Sequence, residues 1–401
     1  MDANRHQFPV GLLLTARSLR AFADGYVAVL LPVYLLTLGL GTLEVGVLST
    51  VTMLGSAAAT LAVGRWGHRF ELRRLLVAAA ALMALTGIGF AAFSSLWPLL
   101  IVALAGTMNP GGGDVSVFYP LEHTALAAAA PPESRTTAFA RYSFIGSMFG
   151  AIGALAAAAP EWLAGRHGLA MLDALKLMFV AYGVIGVTVG FIYSRVPAAP
   201  AEAVRPSVPL GPSRATVWKL AGLFSIDSFA GGFLINAMLA LWLFERFELS
   251  LTAAGAFFFW TGLLSAVSQL AAAPLARRIG LVNTMVFTHL PANVFCVLAA
   301  LMPTLPLAVL FLCLRAALSS MDVPARTSYV MAVVSPAERP AAASLAAVPR
   351  SLAAAVSPAF AGYLLTLTSF GWPLVICGAL KIVYDLTLLA MFRKVKPPEE
   401  R

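Results

Sequence analysis

Twelve apolar runs, each long enough to cross a hydrocarbon layer of roughly 30 Å, follow one another along this chain of 401 residues. They cover about 11–38, 45–64, 73–93, 97–121, 137–159, 172–194, 217–244, 252–275, 281–302, 304–331, 340–366 and 370–392, bounded by Gly, Pro or charge. In lipid the backbone must satisfy its own hydrogen bonds, so runs of this length and uniform apolarity fold as helices. Composition agrees: 60% of residues are hydrophobic and 11% charged, where a soluble domain has roughly 45–50% and 25%. The first run is too long for a cleaved leader and is interrupted by Arg17, Arg20 and Asp24, so it is expected to stay in the protein. Cys296, Cys313 and Cys377 lie in different spans, which argues against a disulfide framework, a CxxC redox motif or a metal site.

A net charge of +9 would suggest nucleic-acid binding in a soluble protein, but its placement says otherwise. Of 27 Lys and Arg, 17 fall on one side of the alternating loops, among them Arg65, Arg69, Arg73, Arg74, Arg277, Arg278 and Arg393. Arg166 and Arg246 alone fall on the other. By the positive-inside rule both termini are expected in the cytoplasm, and no nucleic-acid partner is expected.

The longest polar interruption runs through 196–216 and carries Pro197, Pro200, Pro206, Pro209 and Pro212. It reads as a cytoplasmic linker between six-helix bundles at 1–195 and 217–401. An internal repeat supports the division. Gly113-Asp114-Val115, Pro132-Glu133-Ser134-Arg135, Arg141, Gly150 and Gly153 recur as Met321-Asp322-Val323, Pro336-Ala337-Glu338-Arg339, Arg350, Ala359 and Gly362, with offsets between 204 and 209.

The loop after span 2 carries Gly64, His68, Arg69 and the pair Arg73-Arg74. A counterpart after span 8 carries Arg277, Arg278 and Gly280. This loop resembles that of the major facilitator superfamily, in which Gly, three residues, Asp and Arg precede a Gly and paired basic residues. His68 stands in the position of that Asp and Glu71 in that of the second Gly. The resemblance implies an all-α membrane protein of twelve transmembrane helices in two pseudosymmetric bundles, transporting by alternating access, with this loop as a gate element. A plain cytoplasmic anchor is the competing reading of the loop.

Ionisable residues in the bilayer cost about 2.5–3.5 kcal/mol each on the gentler scale, so those within spans carry the functional argument. Arg17, Arg20 and Asp24 share one face of span 1 by their spacing of three and four. Asp24 and Asp227 fall near mid-depth and are the expected proton or substrate sites, with Arg20, Asn236 and Arg315 in the same cavity. The competing reading for Asp24 is a static pair with Arg20; no local partner is evident for Asp227. Arg315, Asp322 and Arg326 form a stripe on span 10 near Pro324, and Asp114 follows the Asn109-Pro110-Gly111 break of span 4. Two pseudosymmetric gating pairs are expected, Asp114 with Arg141 and Asp322 with Arg350, with Arg326 beside them.

Gly111-Gly112-Gly113 lacks the Gly-Lys-Ser/Thr of a phosphate loop. His68, His123 and His289 lack metal-ligand spacing. Glu122 and His123 are expected at the interface where span 4 ends, and Gly146, Gly150 and Gly153 are expected to pack helices. The chain is therefore expected to be a cofactor-free, non-enzymatic, monomeric transporter of the bacterial inner membrane. The leading expectation is proton-coupled efflux of a drug-like or metabolite solute. A small organic anion is the alternative substrate, and a non-transporting sensor or assembly partner is the alternative class.

Overall fold

The structure is a computed structural model and describes residues 10–111, 116–129, 135–196, 211, 213–334 and 338–393. Among the described residues sixteen α-helices build twelve crossings. Spans 1 to 3 are α1 (Val10–Thr37), α2 (Thr42–Trp66) and α3 (Leu72–Ala92). Span 4 is split into α4 (Leu96–Ala105) and α5 (Phe118–Ala129). Span 5 is α6 (Arg135–Leu155), continued through a 3-10 turn at Ala156–Ala158 into α7 (Ala159–His167), and span 6 is α8 (Met171–Ser194). Span 7 is α9 (Arg214–Gly232) plus α10 (Asn236–Phe247), span 8 is α11 (Leu251–Ile279) and span 9 is α12 (Leu281–Leu301). Span 10 is α13 (Leu305–Ser319) plus α14 (Asp322–Val333), span 11 is α15 (Arg339–Leu367) and span 12 is α16 (Trp372–Phe392). Ten described helical stretches are long and apolar enough to cross a membrane; the split span 4 and the 29-residue α15 complete the twelve.

The breaks have local causes. In span 4, Pro110 supplies no backbone N–H, and Asn109 Oδ1 accepts from Gly111 N at 3.0 Å, which turns the chain away from the helix. In span 7, Gly232 lies against Ala354 O and Ser357 Oγ of α15, where any side chain would collide. The two breaks touch: Ala237 N donates to Pro110 O at 3.1 Å. Span 10 restarts at Asp322 with Pro324 inside the first turn of α14, where its missing donor leaves no helix bond unmade. Prolines deeper inside α1, α11, α12 and α15 leave those helices continuous in assignment.

With twelve crossings between them, the start of α1 and the end of α16 lie at one end of the bundle, here the terminal end, and the opposite one is the far end. At the far end the halves are sealed. Gly46 of α2 and Gly362 of α15 meet so closely that a Cβ on either would strike the other helix's backbone at Pro358 O or Thr42 O. Thr42 Oγ1 donates to Gly362 O at 3.2 Å. Glu161 of α7 reaches the start of α11, where Oε1 accepts from Leu251 N at 2.6 Å and Oε2 from Thr252 N at 3.0 Å and Thr252 Oγ1 at 2.6 Å. A carboxylate on free N–H groups at a helix N-terminus is electrostatically favourable.

The larger apolar core joins residues of both halves, such as Leu31, Val45, Leu241 and Phe257. A second core, including Val217, Phe224, Val282, Tyr329 and Phe392, belongs wholly to the second half. The terminal segments α5 and α14 pack within their own halves, α5 on α1, α3 and α6, and α14 on α11, α12 and α15.

Gly46→Leu is therefore expected to hold the far end ajar. In a background lacking the native cysteines, thiol labelling of Ser49→Cys, a fully buried position, is expected to accelerate at least about tenfold with the leucine present. Unchanged labelling would count against the seal.

Candidate functional site

Each half encloses one buried acid–base cluster. In the first, Arg20 of α1 pairs with Glu122 of α5, and both are shielded from solvent. Glu122 also accepts from Tyr142 Oη of α6 at 2.5 Å and from Tyr193 Oη of α8. Four helices thus converge on one carboxylate. The Arg20 guanidinium lies 4.0 Å from the Phe118 ring centroid and that of Arg17 lies 4.9 Å from the Tyr142 ring, a cation–π setting for both. Asp24, one turn beyond Arg20, accepts from Tyr182 Oη at 3.3 Å.

In the second half the centre is Asp227 of α9. Its Oδ1 receives Lys381 Nζ of α16 at 2.5 Å, and its Oδ2 receives Arg326 Nη1 of α14 at 2.9 Å. Arg326 also faces Asp322 at 3.5 Å. Beside them His289 of α12 places Nδ1 2.9 Å from Asp385 Oδ1 of α16, and Asn293 Nδ2 donates to Asp385 Oδ2 at 2.9 Å. The two clusters are related by span but opposite in polarity. Span 1 brings the cation and span 4 the anion, whereas span 7 brings the anion and span 10 the cation.

The structure distributes the sequence-predicted residues unevenly. Asp227, expected to lack a local partner, has two cations at hydrogen-bond distance. Arg20 takes Glu122 as its ion-pair partner, not Asp24. Glu122, expected at the interface, is fully buried, because span 4 continues helically to Ala129 and the glutamate sits about 10 Å inside that end at roughly 1.5 Å per residue. His123 stacks among Tyr119, Phe139 and Tyr142. The pair Asp322–Arg350 is not formed in this conformation: Asp322 faces Arg326, and Arg350 Nε donates to Ser228 Oγ at 3.1 Å. Asp114 lies outside the described residues, and its expected partner Arg141 is exposed on α6. Asn236 opens α10 at the span 7 break and is half-buried. Arg315 is half-buried on α13, with its Nε buried and without a hydrogen-bond partner.

In the loop after span 2, Gly64, His68 and Arg69 are exposed and Arg73 is half-buried. Glu71 pairs with Arg74 at 3.0 Å. Span 5's glycines do pack helices: Gly150 lies against Gly25 and Gly153 against Phe22 O of α1.

Comparison with known proteins agrees with this architecture. The sequence profile of the Major Facilitator Superfamily matches residues 13–225 and 221–401. The chain belongs to this superfamily. An uncharacterized membrane protein of Saccharomyces cerevisiae is 25% identical, with 96% of this chain and 94% of that one covered. Among solved structures, the fold is similar to that of the nucleoside transporter NupG (TM-score 0.73, 14% identity, 96% of this chain and 99% of that one). It is similar also to the inward open conformation of the xylose transporter XylE from E. coli (TM-score 0.70, 17% identity, 98% of each chain). This superfamily member is thus a multi-pass membrane transporter for small molecules and not an enzyme.

His289, Asn293, Lys381 and Asp385 are functional candidates that sequence reasoning passed over. A signal was present: Lys381 and Asp385 stand four residues apart in the last span, as do His289 and Asn293 in the ninth. Two such polar stripes in apolar helices that pack against each other within one half require each other's company in lipid.

Proposed function

We propose that the protein is a secondary transporter that moves a small organic solute by alternating access, coupled to protons, across the bacterial inner membrane as a monomer. Both termini stand in the cytoplasm on this reading, supported by the 17 to 2 asymmetry of basic residues. The sealed far end is then the outer one, and the conformation described is inward-facing. The observation that carries the reading is the close packing that joins the halves at the far end. Span breaks in 4, 7 and 10 supply the deformable backbone for exchanging that seal with one at the terminal end. Export of a drug-like or metabolite compound is the leading direction.

Arg315 favours an organic anion as cargo. Its guanidinium has a buried Nε without a partner, beside the break of span 10, and among the described residues no carboxylate forms an ion pair with it. A carboxylate or sulfonate on the solute would fill that vacancy. A charged hydrogen bond of this kind is worth about 1.5–3 kcal/mol, or roughly 10- to 150-fold in affinity.

Proteoliposomes with an imposed pH gradient test both parts, using benzenesulfonate, tetramethylammonium and a neutral sugar as probes, none of which crosses the bilayer readily unaided, each offered inside or outside. Gradient-driven accumulation of benzenesulfonate, absent from protein-free vesicles and reduced at least about tenfold by Arg315→Gln, is the expected result. Gradient-driven flux of the cation alone would remove the anion reading, and no flux of any probe under a gradient would count against proton coupling.

A further inference from the structure

We propose that His289 is the residue on which the coupling proton rides, and that its protonation clamps span 7 to spans 9 and 12. The assignment rests on the proton-coupled reading above and names its site. His289 is 3% exposed, Asp385 0% and Asp227 5%. The imidazole lies between two carboxylates from different helices. Nδ1 is 2.9 Å from Asp385 Oδ1 on α16, and Nε2 is 3.9 Å from Asp227 Oδ1 on α9. A neutral imidazole has one N–H and one lone pair, whereas both nitrogens of the imidazolium carry a proton. Asp385 is at hydrogen-bond distance of Nδ1, while Asp227 lies beyond that distance from Nε2 yet close enough to attract a charged ring, so on this proposal the described conformation is the one that accepts the proton.

Charged and titratable groups of the second half gather around the same pair of carboxylates, and α13, which also packs on α12, carries the half-buried Arg315. α16 brings Lys381 and the Tyr384 ring, whose centroid is 6.1 Å away. α14 brings Arg326 and Asp322, and α15 brings Arg350 on Ser228. From its own helix Asn293 Nδ2 lies 3.3 Å from Nδ1 and anchors the far oxygen of Asp385. Asp227 remains tied to Lys381 and Arg326 in either protonation state. His289 and its partner Asp385 can change charge without breaking an Arg or Lys pair, and of the two it is the imidazole that also faces Asp227.

The step is a single proton transfer. The imidazolium gives its Nε2 proton to water entering from the terminal end and becomes a neutral imidazole that keeps Nδ1–H on Asp385. The Nε2 lone pair then confronts Asp227 Oδ1, and attraction between α12 and α9 turns to repulsion. Asp227 stands five residues before the end of α9 at Gly232. Just beyond lies the break whose Ala237 N holds Pro110 O of the other half. Losing the proton thus loosens span 7 next to a contact that joins the two halves, and the sealed far end loses support.

The test follows far-end opening directly and needs no substrate. Spin labels are placed at Ser94 and Thr304, exposed in far-end loops of the two halves, in the full chain lacking native cysteines and held in lipid nanodiscs. Electron–electron double resonance reads their distance. Raising the pH from 5.5 to 8.5 is expected to shift the ratio of long to short distances at least about fivefold. His289→Gln is expected to abolish that shift, and His289→Lys to hold the short distance at both pH values. Asp385→Asn, which keeps the shape of the site, is expected to lose the shift as well and serves where His289→Gln fails to assemble. A pH response surviving in His289→Gln, or absent from the unsubstituted protein, overturns the assignment. If vesicle flux ignores an imposed pH gradient while the His289-dependent opening persists, the coupled-transport reading fails and the proton site stands.

Discussion

Glu122→Leu is expected to be among the most damaging single substitutions in the protein, and Arg20→Met combined with it among the best tolerated double ones. The single change leaves the buried Arg20 guanidinium without its ion-pair partner, with only Asp24 one turn away, and strips Tyr142 and Tyr193 of their common acceptor. Removing one partner of a buried pair costs roughly 3–5 kcal/mol, whereas replacing both by apolar groups of similar size is often neutral or stabilising. The unfolding temperature in detergent should fall sharply for Glu122→Leu and return most of the way in the double variant. Transport should not return with it if the cluster also moves during the cycle. A double variant as unstable as the single would show that Arg20 and Glu122 do not act as a pair.

Asp227→Ala is expected to be worse still, because Lys381 loses its ion-pair partner and Arg326 the nearer of its two at once. Lys381 Nζ and Arg326 Nη1 would be left facing each other in a site that water hardly reaches. The estimate is at least the same roughly 3–5 kcal/mol, with mutual repulsion added. The diagnostic comparison is Asp227→Ala with Lys381→Met, which removes one of the stranded charges while Arg326 keeps Asp322 at 3.5 Å. Recovery of stability in that double variant, measured by the same thermal unfolding, is the expected outcome. An Asp227→Ala protein with unchanged stability would mean that the cluster is solvated in the bilayer.

Much of this architecture was written in hydrophobic length. Twelve runs bounded by Gly, Pro and charge became twelve crossings because lipid leaves the backbone no alternative to helix. The Asn109-Pro110-Gly111 break and the stripe at Pro324 fell where the helices part. What could not be read was partnership. Arg20 has Asp24 one turn away, and spacing along the helix favours that pair, yet the guanidinium turns to Glu122, 102 residues on. The reason is three-dimensional: α5 brings a second carboxylate to the same depth, along with two phenol donors from α6 and α8. Asp227 has no partner in sequence because its cations come from spans 10 and 12, nearly 100 and more than 150 residues on. Placing Glu122 at the interface followed from ending its span at 121. A helix running eight residues farther puts the same side chain in the interior.

Glu161 joins the halves from α7, a nine-residue helix that extends span 5 beyond a 3-10 turn and carries neither of the buried clusters. Its three acceptor contacts to Leu251 and Thr252 lie outside the chain of charges that would sense protons or solute. The durability of the far-end seal can thus be tuned by one side chain on an appendage, leaving the buried clusters of the interior untouched. Related chains can differ widely in how long that end stays shut while preserving the same interior chemistry, a division between timing and selectivity built into where span 5 is allowed to end.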